Sequence, residues 1–139
     1  MASRDPRLYL VDIFQAACLI WEYSEPFKNG ESLLYDRLHW DAVIREFEIL
    51  GEAVNKLLKL GVLDASFRLA VDFRNKVAHE YFGIDEAIVF DLIRNTLPKF
   101  VEEVAEAAGK FDLHEAVEDA IAENRLSEKT AACLKKLAL

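Results

Sequence analysis

One stretch near the middle of the chain carries the side chains that could do chemistry. Residues 72–81 read Asp-Phe-Arg-Asn-Lys-Val-Ala-His-Glu-Tyr, so Arg74, Asn75, Lys76, His79 and Tyr81 lie within eight positions. Arginine presents a planar, permanently charged fork to a phosphate or a developing oxyanion. Histidine changes charge near neutral pH and can therefore transfer a proton. Cleavage of RNA without a metal needs both: a base for the 2′-hydroxyl proton and a cation beside the phosphorus.

The same residues also fit the solvent-exposed face of an ordinary helix. Composition alone favours this interpretation over a catalytic site. On a regular helix Arg74 and His79 point about 140° apart, whereas Asn75 and His79 share a face. For Arg74 and His79 to reach one phosphate, the helix must distort near its end or a second copy must contribute. A twofold dimer would bring two such helix ends together and would supply two histidines, one as acid and one as base.

The spacing Arg74-x4-His79-x-Tyr81 resembles the motif of HepT-type toxins, a branch of the HEPN helical superfamily. Flanking segments are similar to that family over residues 4–104. In chain order they are Arg4-Asp5, Tyr9-Leu10-Val11-Asp12-Ile13, the helical residues 42–50 with the Gly51-Glu52-Ala53 block that follows them, Ile84-Asp85 and Leu97-Pro98. The motif helix, the Gly-Glu-Ala block and the flanks occur in the family's order, which makes the resemblance specific.

The resemblance implies a small helical homodimer that acts as a metal-independent RNA endonuclease, with no cofactor and with its site at the dimer interface. Arg74 would bind or polarise the phosphate, His79 would transfer protons, and Asn75 would help to orient the site. Such toxins are usually paired with a minimal nucleotidyltransferase antitoxin, which in some pairs attaches AMP to the motif tyrosine, here Tyr81. Bulk and negative charge beside a phosphate-binding arginine would exclude RNA.

Glu52 admits two interpretations. It lies between a glycine and an alanine on a largely apolar helix. It could form an ion pair with Arg74 or Arg45 near the site, or it could be a structural partner within the bundle, and the sequence does not separate the two.

Apolar residues recur with the helical period in every segment that must position these residues. This pattern predicts an all-α four-helix-bundle fold. We expect helices over 6–23, 33–60, 65–80 and 86–108, with Pro98 interrupting the last of them. The predicted N-caps are Asp64, Asp85 and Ser127, and Asp112-x-x-Glu115 predicts a capping box for an acidic helix. We therefore expect a HepT-like helical domain over 1–109 and a C-terminal helical extension over 110–139 packed on it. Trp21, Trp40 and Tyr35 are expected to be core or interface aromatics.

Composition and charge narrow the class of protein. The 139 residues are 53% apolar and 30% charged, with five glycines, which fits one folded domain and excludes disorder. No apolar run is long enough for a membrane span, and residues 1–24 do not read as a signal peptide, so we expect a cytoplasmic protein. Cys18 and Cys133 lie among apolar neighbours and are expected to be unpaired thiols. The three histidines lack metal-site spacing, so no metal is expected.

The net charge weakens the nuclease hypothesis. Residues 1–101 carry 12 Lys and Arg against 16 Asp and Glu, residues 102–123 one against eight, and residues 124–139 four against one, for a net charge of −8. Because affinity for nucleic acids comes mainly from basic side chains, RNA must be held in a local basic pocket. The alternative is a non-catalytic subunit that binds a nucleotide or a nucleotidyltransferase at the same cleft. A third possibility is a purely structural helical dimer.

Overall fold

The polypeptide forms helices joined by short turns. A computed structural model describes residues 4–79 and 83–139. For Ala78 and His79 it describes the backbone but not the side chain. No strand occurs within the described residues, which confirms the predicted all-α class. The α-helices are α1 (Pro6–Ser24), α2 (Gly30–Tyr35), α3 (Arg37–Lys59), α4 (Arg68–His79), α5 (Glu86–Asp91), α6 (Leu97–Ala107), α7 (His114–Glu123) and α8 (Glu128–Ala138).

Most helix starts follow from local side-chain hydrogen bonds. Asp85 accepts from the backbone of Ala87 ahead of α5, and Ser127 accepts from Thr130 ahead of α8, as predicted. Asp64 caps a single 3-10 turn over Ala65–Phe67, which leads into α4. The predicted capping box before α7 is wrong, since Leu113 is the N-cap. The Asp112 carboxylate instead accepts from the backbone N–H of His114 and pairs with its ring at 2.9 Å.

Two predicted long helices are broken. The helix expected over 33–60 divides into α2 and α3 at Asp36, whose carboxylate caps α3 through the backbone N–H of His39. The helix expected over 86–108 divides into α5, a π-helical segment over Leu92–Thr96, and α6. The widened segment directly precedes Leu97-Pro98, and a proline removes one helical hydrogen bond, so the predicted interruption is confirmed.

The core lies where α1 and α3 pack side by side, and α4 also packs against α3. Trp40 is only 2% exposed within it. The Trp21 indole donates to the carbonyl of Ile93 at 3.2 Å and so links α1 to the π-helical segment. Tyr35 is 79% exposed, which excludes it from the core of the chain and leaves its alternative prediction, an interface aromatic, as a prediction. In the described part of the chain, each helix is too short or too polar to span a bilayer.

Helices α7 and α8 pack against α1. A disulfide joins Cys18 of α1 to Cys133 of α8, with 6.0 Å between their Cα atoms. The expectation of two unpaired thiols is therefore wrong, because the packing of α8 along α1 brings together residues 115 positions apart. Glu22 accepts hydrogen bonds from the hydroxyls of Ser127 and Thr130 at the same junction.

Glu46 on α3 supplies a test of the α1–α3 contact by pH. Burial raises its pKa to about 7 from the ordinary 4.5, against an opposing effect of Arg45. Burial also raises the pKa of the Tyr23 hydroxyl on α1, and the charge of Glu46 adds to that shift. The fold favours the protonated carboxyl group of Glu46. Its contribution to stability is therefore complete below about pH 4.5 and is lost as the pH rises through about 7.

We therefore expect Glu46→Gln to flatten the fall in stability between pH 5 and pH 8. The amide cannot ionise, so the stability of the variant relative to that of the wild type should increase as the pH rises. Thermal melts at both pH values would check this difference. An equal pH dependence in the two proteins would show that Glu46 ionises at its ordinary pKa.

Candidate active site

The close approach of α3 and α4 places Arg74, and it depends on Gly51. A Cβ atom at position 51 would lie 2.4 Å from the Cβ of Arg74 and 2.8 Å from the carbonyl oxygen of Ala70. Real Cβ contacts are never this short, so only glycine permits the observed spacing. The Gly-Glu-Ala block therefore does two things: Gly51 admits the backbone of α4, and Glu52 presents a carboxylate beside it.

We expect Gly51→Ala to destabilise the protein by about 1–3 kcal/mol, the usual effect of overpacking a contact. This should outweigh the gain of up to about 1 kcal/mol that alanine brings to an open helical position. Gly51→Val adds more volume at the same point and should be worse. Urea denaturation of the three proteins would test the order, and a stabilised alanine variant would contradict the tight contact.

The guanidinium of Arg74 is held from two sides. Its Nη2 lies 3.0 Å from Oε2 of Glu52, and its Nη1 donates to Oδ1 of Asn75 at 3.0 Å. Glu52 also faces the Nζ of Lys56 at 3.7 Å. The Arg74 side chain is 38% exposed. An ion pair this accessible adds at most about 1 kcal/mol to stability, so its main effect is to orient the guanidinium. Of the two interpretations of Glu52, the structure shows the ion pair with Arg74.

Arg74 lies at the edge of a polar groove of about 330 Å³ between α1 and α3. The groove takes side chains from α1, α3 and α4 and from Arg4, which lies two residues before α1. It is lined by Arg4, Tyr9, Asp12, Arg45, Glu48, Ile49, Glu52, Ala53 and Arg74. Three guanidinium groups and three carboxyl groups therefore face one concave surface, in a protein whose net charge is strongly negative.

The far side of the groove is formed by the start of the chain. Nη1 of Arg4 lies 3.0 Å from Oδ2 of Asp12, and its guanidinium stands over the Tyr9 ring at 4.8 Å from the centroid. Burial raises the pKa of Asp12, although the charge of Arg4 acts in the opposite direction. These residues were not predicted from the sequence to belong to the site. The spacing of Tyr9 and Asp12, which puts them on one face of a helix, was the signal that could have indicated it.

Of the predicted site residues, Arg74, Asn75 and Glu52 form one contact cluster. Helix α4 ends at His79, whose side chain lies outside the described residues, as does the whole of Tyr81. The roles assigned to these two residues stay predictions. Within the described residues, no group of three His, Cys, Asp or Glu side chains is placed to hold a metal ion.

The fold and the groove together define a small helical protein with an arginine-centred polar cleft. The chain belongs to the family described as Ribonuclease HepT-like, whose model matches residues 13–107. This confirms the resemblance drawn from the motif and agrees with the predicted endoribonuclease class. The match ends before α7, so the two last helices lie outside it.

Individual relatives agree with the family. The chain is 32% identical to a protein named "Probable ribonuclease HepT" from Thermococcus cleftensis, over 79% of this chain and 96% of that protein. It is 30% identical to "Putative RNase MJ1380" of Methanocaldococcus jannaschii, over 75% of this chain and 97% of the relative. No solved structure matches the chain significantly.

Proposed function

We propose that this protein is a metal-independent endoribonuclease toxin that works as a homodimer. Arg74 of one protomer and His79 of its partner would act on the same phosphodiester. The single observation that carries the proposal is the Arg74 guanidinium, held in a solvent-accessible groove by Glu52 and Asn75. The family supports the reaction class, since its description and the names of related proteins are those of ribonucleases.

The reaction would be attack of the 2′-hydroxyl on the adjacent phosphorus. The imidazole of His79 would take the 2′-hydroxyl proton, while Arg74 stabilises the negative charge that develops on the phosphoryl oxygens. The bond to the 5′-oxygen then breaks, that oxygen is protonated, and a 2′,3′-cyclic phosphate remains. The imidazolium formed at His79 would return a proton to this oxygen, so that one arginine and one histidine suffice for each site. Glu52 and Asn75 are positioning residues, because both act through the Arg74 guanidinium.

The course of α4 supports a site shared between two chains. The helix stays α-helical from Arg68 to His79, without a break that would turn His79 towards the face of Arg74. Positions 74 and 79 lie about 140° apart around such a helix, which favours a phosphate contacted from two different chains. A twofold dimer that pairs the ends of α4 would provide these contacts.

Regulation by a minimal nucleotidyltransferase antitoxin is the second part of the proposal. Tyr81 follows α4 by two residues and would receive AMP from the partner. The added phosphate would compete with RNA for Arg74 and repel the substrate backbone. Co-expression with such a partner should relieve any growth arrest that the protein causes alone, and Tyr81→Phe should abolish the part of this relief that depends on AMP transfer.

The net charge favours one alternative, a non-catalytic subunit that binds a nucleotide or the nucleotidyltransferase at the same groove. The charge of −8 opposes RNA, and Glu52 already neutralises Arg74. Purified protein incubated with labelled RNA in EDTA separates the two functions. The toxin should produce fragments that end in a cyclic phosphate, and it should spare RNA methylated at every 2′-hydroxyl. Intact RNA together with binding of ATP or the partner would favour the subunit.

A further inference from the structure

The polar groove continues from Arg74 along the face of α3 towards the start of α1. Its volume of about 330 Å³ is at the lower end of the range of about 300–1,000 Å³ that is typical of small-molecule sites. The proposed reaction uses only the Arg74 end. The chemistry of the remaining lining indicates what this groove could hold.

Arg45 is the cation of the groove that has no close carboxylate partner. Its side chain is exposed, its charge acts on the neighbouring Glu46, and within the described residues it makes no hydrogen bond or ion pair shorter than 4 Å. Arg4 and Arg74, in contrast, each face a carboxylate at 3.0 Å. Arg45 precedes Glu52 by seven residues on α3, which places it on the same face about 10 Å away. An anion can therefore bind at Arg45 without breaking an existing ion pair.

Tyr9 supplies a fixed aromatic surface in the same groove. Its ring packs against the core, and the guanidinium of Arg4 stands 4.8 Å from the ring centroid. Unpaired nucleobases stack on aromatic rings and on arginine planes, each contact adding roughly 1–3 kcal/mol of binding. Because the Arg4 guanidinium lies over the Tyr9 ring, the flat surface of this kind is that guanidinium plane, supported from below by the ring.

The carboxyl groups of Asp12 and Glu48 complete the lining. They repel phosphates but accept hydrogen bonds from amino groups of bases, as acidic side chains do from the N4 amino group of cytosine. Adenine, cytosine and guanine carry an exocyclic amino group, whereas uracil presents carbonyl oxygens in its place. An acidic wall of this kind favours bases that carry an amino group, whereas an arginine accepts the phosphate of any nucleotide.

We propose that this groove is a nucleotide subsite that holds the RNA residue next to the cleaved bond. The phosphate of that residue binds Arg45, its base stacks on the Arg4 guanidinium that covers Tyr9, and the carboxyl groups of Asp12 and Glu48 select bases with an amino group. The inference rests on the proposed ribonuclease function and adds a substrate preference to it.

The test uses short RNAs with a single cleavable ribose in a 2′-O-methyl background, in which the neighbouring base is varied. The wild type should cleave substrates with A, C or G beside the bond about tenfold faster, in kcat/KM, than those with U. Arg45→Ala should raise KM about tenfold with little change in kcat. Arg68→Ala removes the same charge from an exposed part of α4 outside the groove and should change neither value.

Two further variants separate stacking and selection from folding. Tyr9→Leu keeps an apolar side chain against the core but should raise KM, and Tyr9→Phe should restore it. Glu48→Gln can donate as well as accept, so it should reduce the discrimination against uracil to the part that Asp12 contributes. Circular dichroism would confirm that each variant is folded.

The outcomes distinguish the subsite from the reaction. If the wild type cleaves RNA but these variants keep its KM and base preference, the subsite is wrong and the ribonuclease stands. If the wild type cleaves no RNA, fluorescence anisotropy can still measure the binding of a fully 2′-O-methylated oligonucleotide to the groove. Binding that weakens in Arg45→Ala but not in Arg68→Ala supports the subsite without the nuclease, and absent or unchanged binding overturns it.

Discussion

Replacing His79 or Arg74 with alanine should lower the rate of RNA cleavage by about 10²–10⁴-fold. A positioned general base contributes about 10²–10⁴ to a rate, and a preorganised donor to a developing oxyanion contributes about 10²–10³. Both effects should appear in kcat, because both groups act most strongly in the transition state. Single-turnover cleavage of a labelled RNA in EDTA would measure them.

Matched controls exist for both changes. His114→Ala removes an exposed histidine from the start of α7, and Arg68→Ala removes an exposed arginine from the start of α4. Neither residue lines the groove, so both variants should cleave at the wild-type rate. If His79→Ala retained full activity while folded, the imidazole would have no part in the proton transfer.

Mixing the two inactive proteins tests whether the site is shared between chains. A heterodimer of Arg74→Ala and His79→Ala has one site with both losses and one with neither, provided that each site takes its arginine and histidine from different chains. After random exchange of protomers, about a quarter of wild-type activity should return. Inactive heterodimers would contradict an arginine and a histidine drawn from opposite protomers.

Loss of the Cys18–Cys133 disulfide should be the largest change in stability. The bond closes a loop with a sequence separation of 115 residues. In the chain-entropy description a loop of about 100 residues restricts the unfolded chain by about 4.7 kcal/mol, and measured losses of native disulfides are about 2–5 kcal/mol. Urea denaturation with and without dithiothreitol should show a lower midpoint after reduction.

Cys133→Ser provides the matched variant, since Cys133 is the less buried partner and serine preserves its size. This variant should resemble the reduced wild type and should not respond to dithiothreitol. Equal midpoints in all samples would contradict a stabilising bond. Because disulfides are rare in reducing cytosol, the redox state in cells also bears on the predicted cytoplasmic location.

The effect of the disulfide on cleavage should be small at temperatures where the protein remains folded. The bond joins α8 to α1, whereas the described part of the proposed site lies on α3 and α4 and at the start of α1. The family match ends at residue 107, so the disulfide joins the additional helices to the part of the chain that the family shares. We therefore interpret α7 and α8 as a stabilising addition.

What the sequence determined by itself was local. The helical period established the all-α class, and Asp85 and Ser127 marked helix starts because a cap reaches only two or three residues along the chain. The residue types of Arg74 and His79, with their spacing, indicated phosphate chemistry and the family. These features depend on neighbours within one or two helical turns, which a linear pattern contains.

The tertiary structure decided what depends on which helical faces meet. The spacing at Gly51, the ion pair of Glu52 with Arg74 and the bond between Cys18 and Cys133 each join different helices. The grouping of Tyr9 with Arg45 in one groove is of the same kind. A helical pattern shows which face of a helix is apolar but not which helix covers it, because that choice is made by the packing of the whole core.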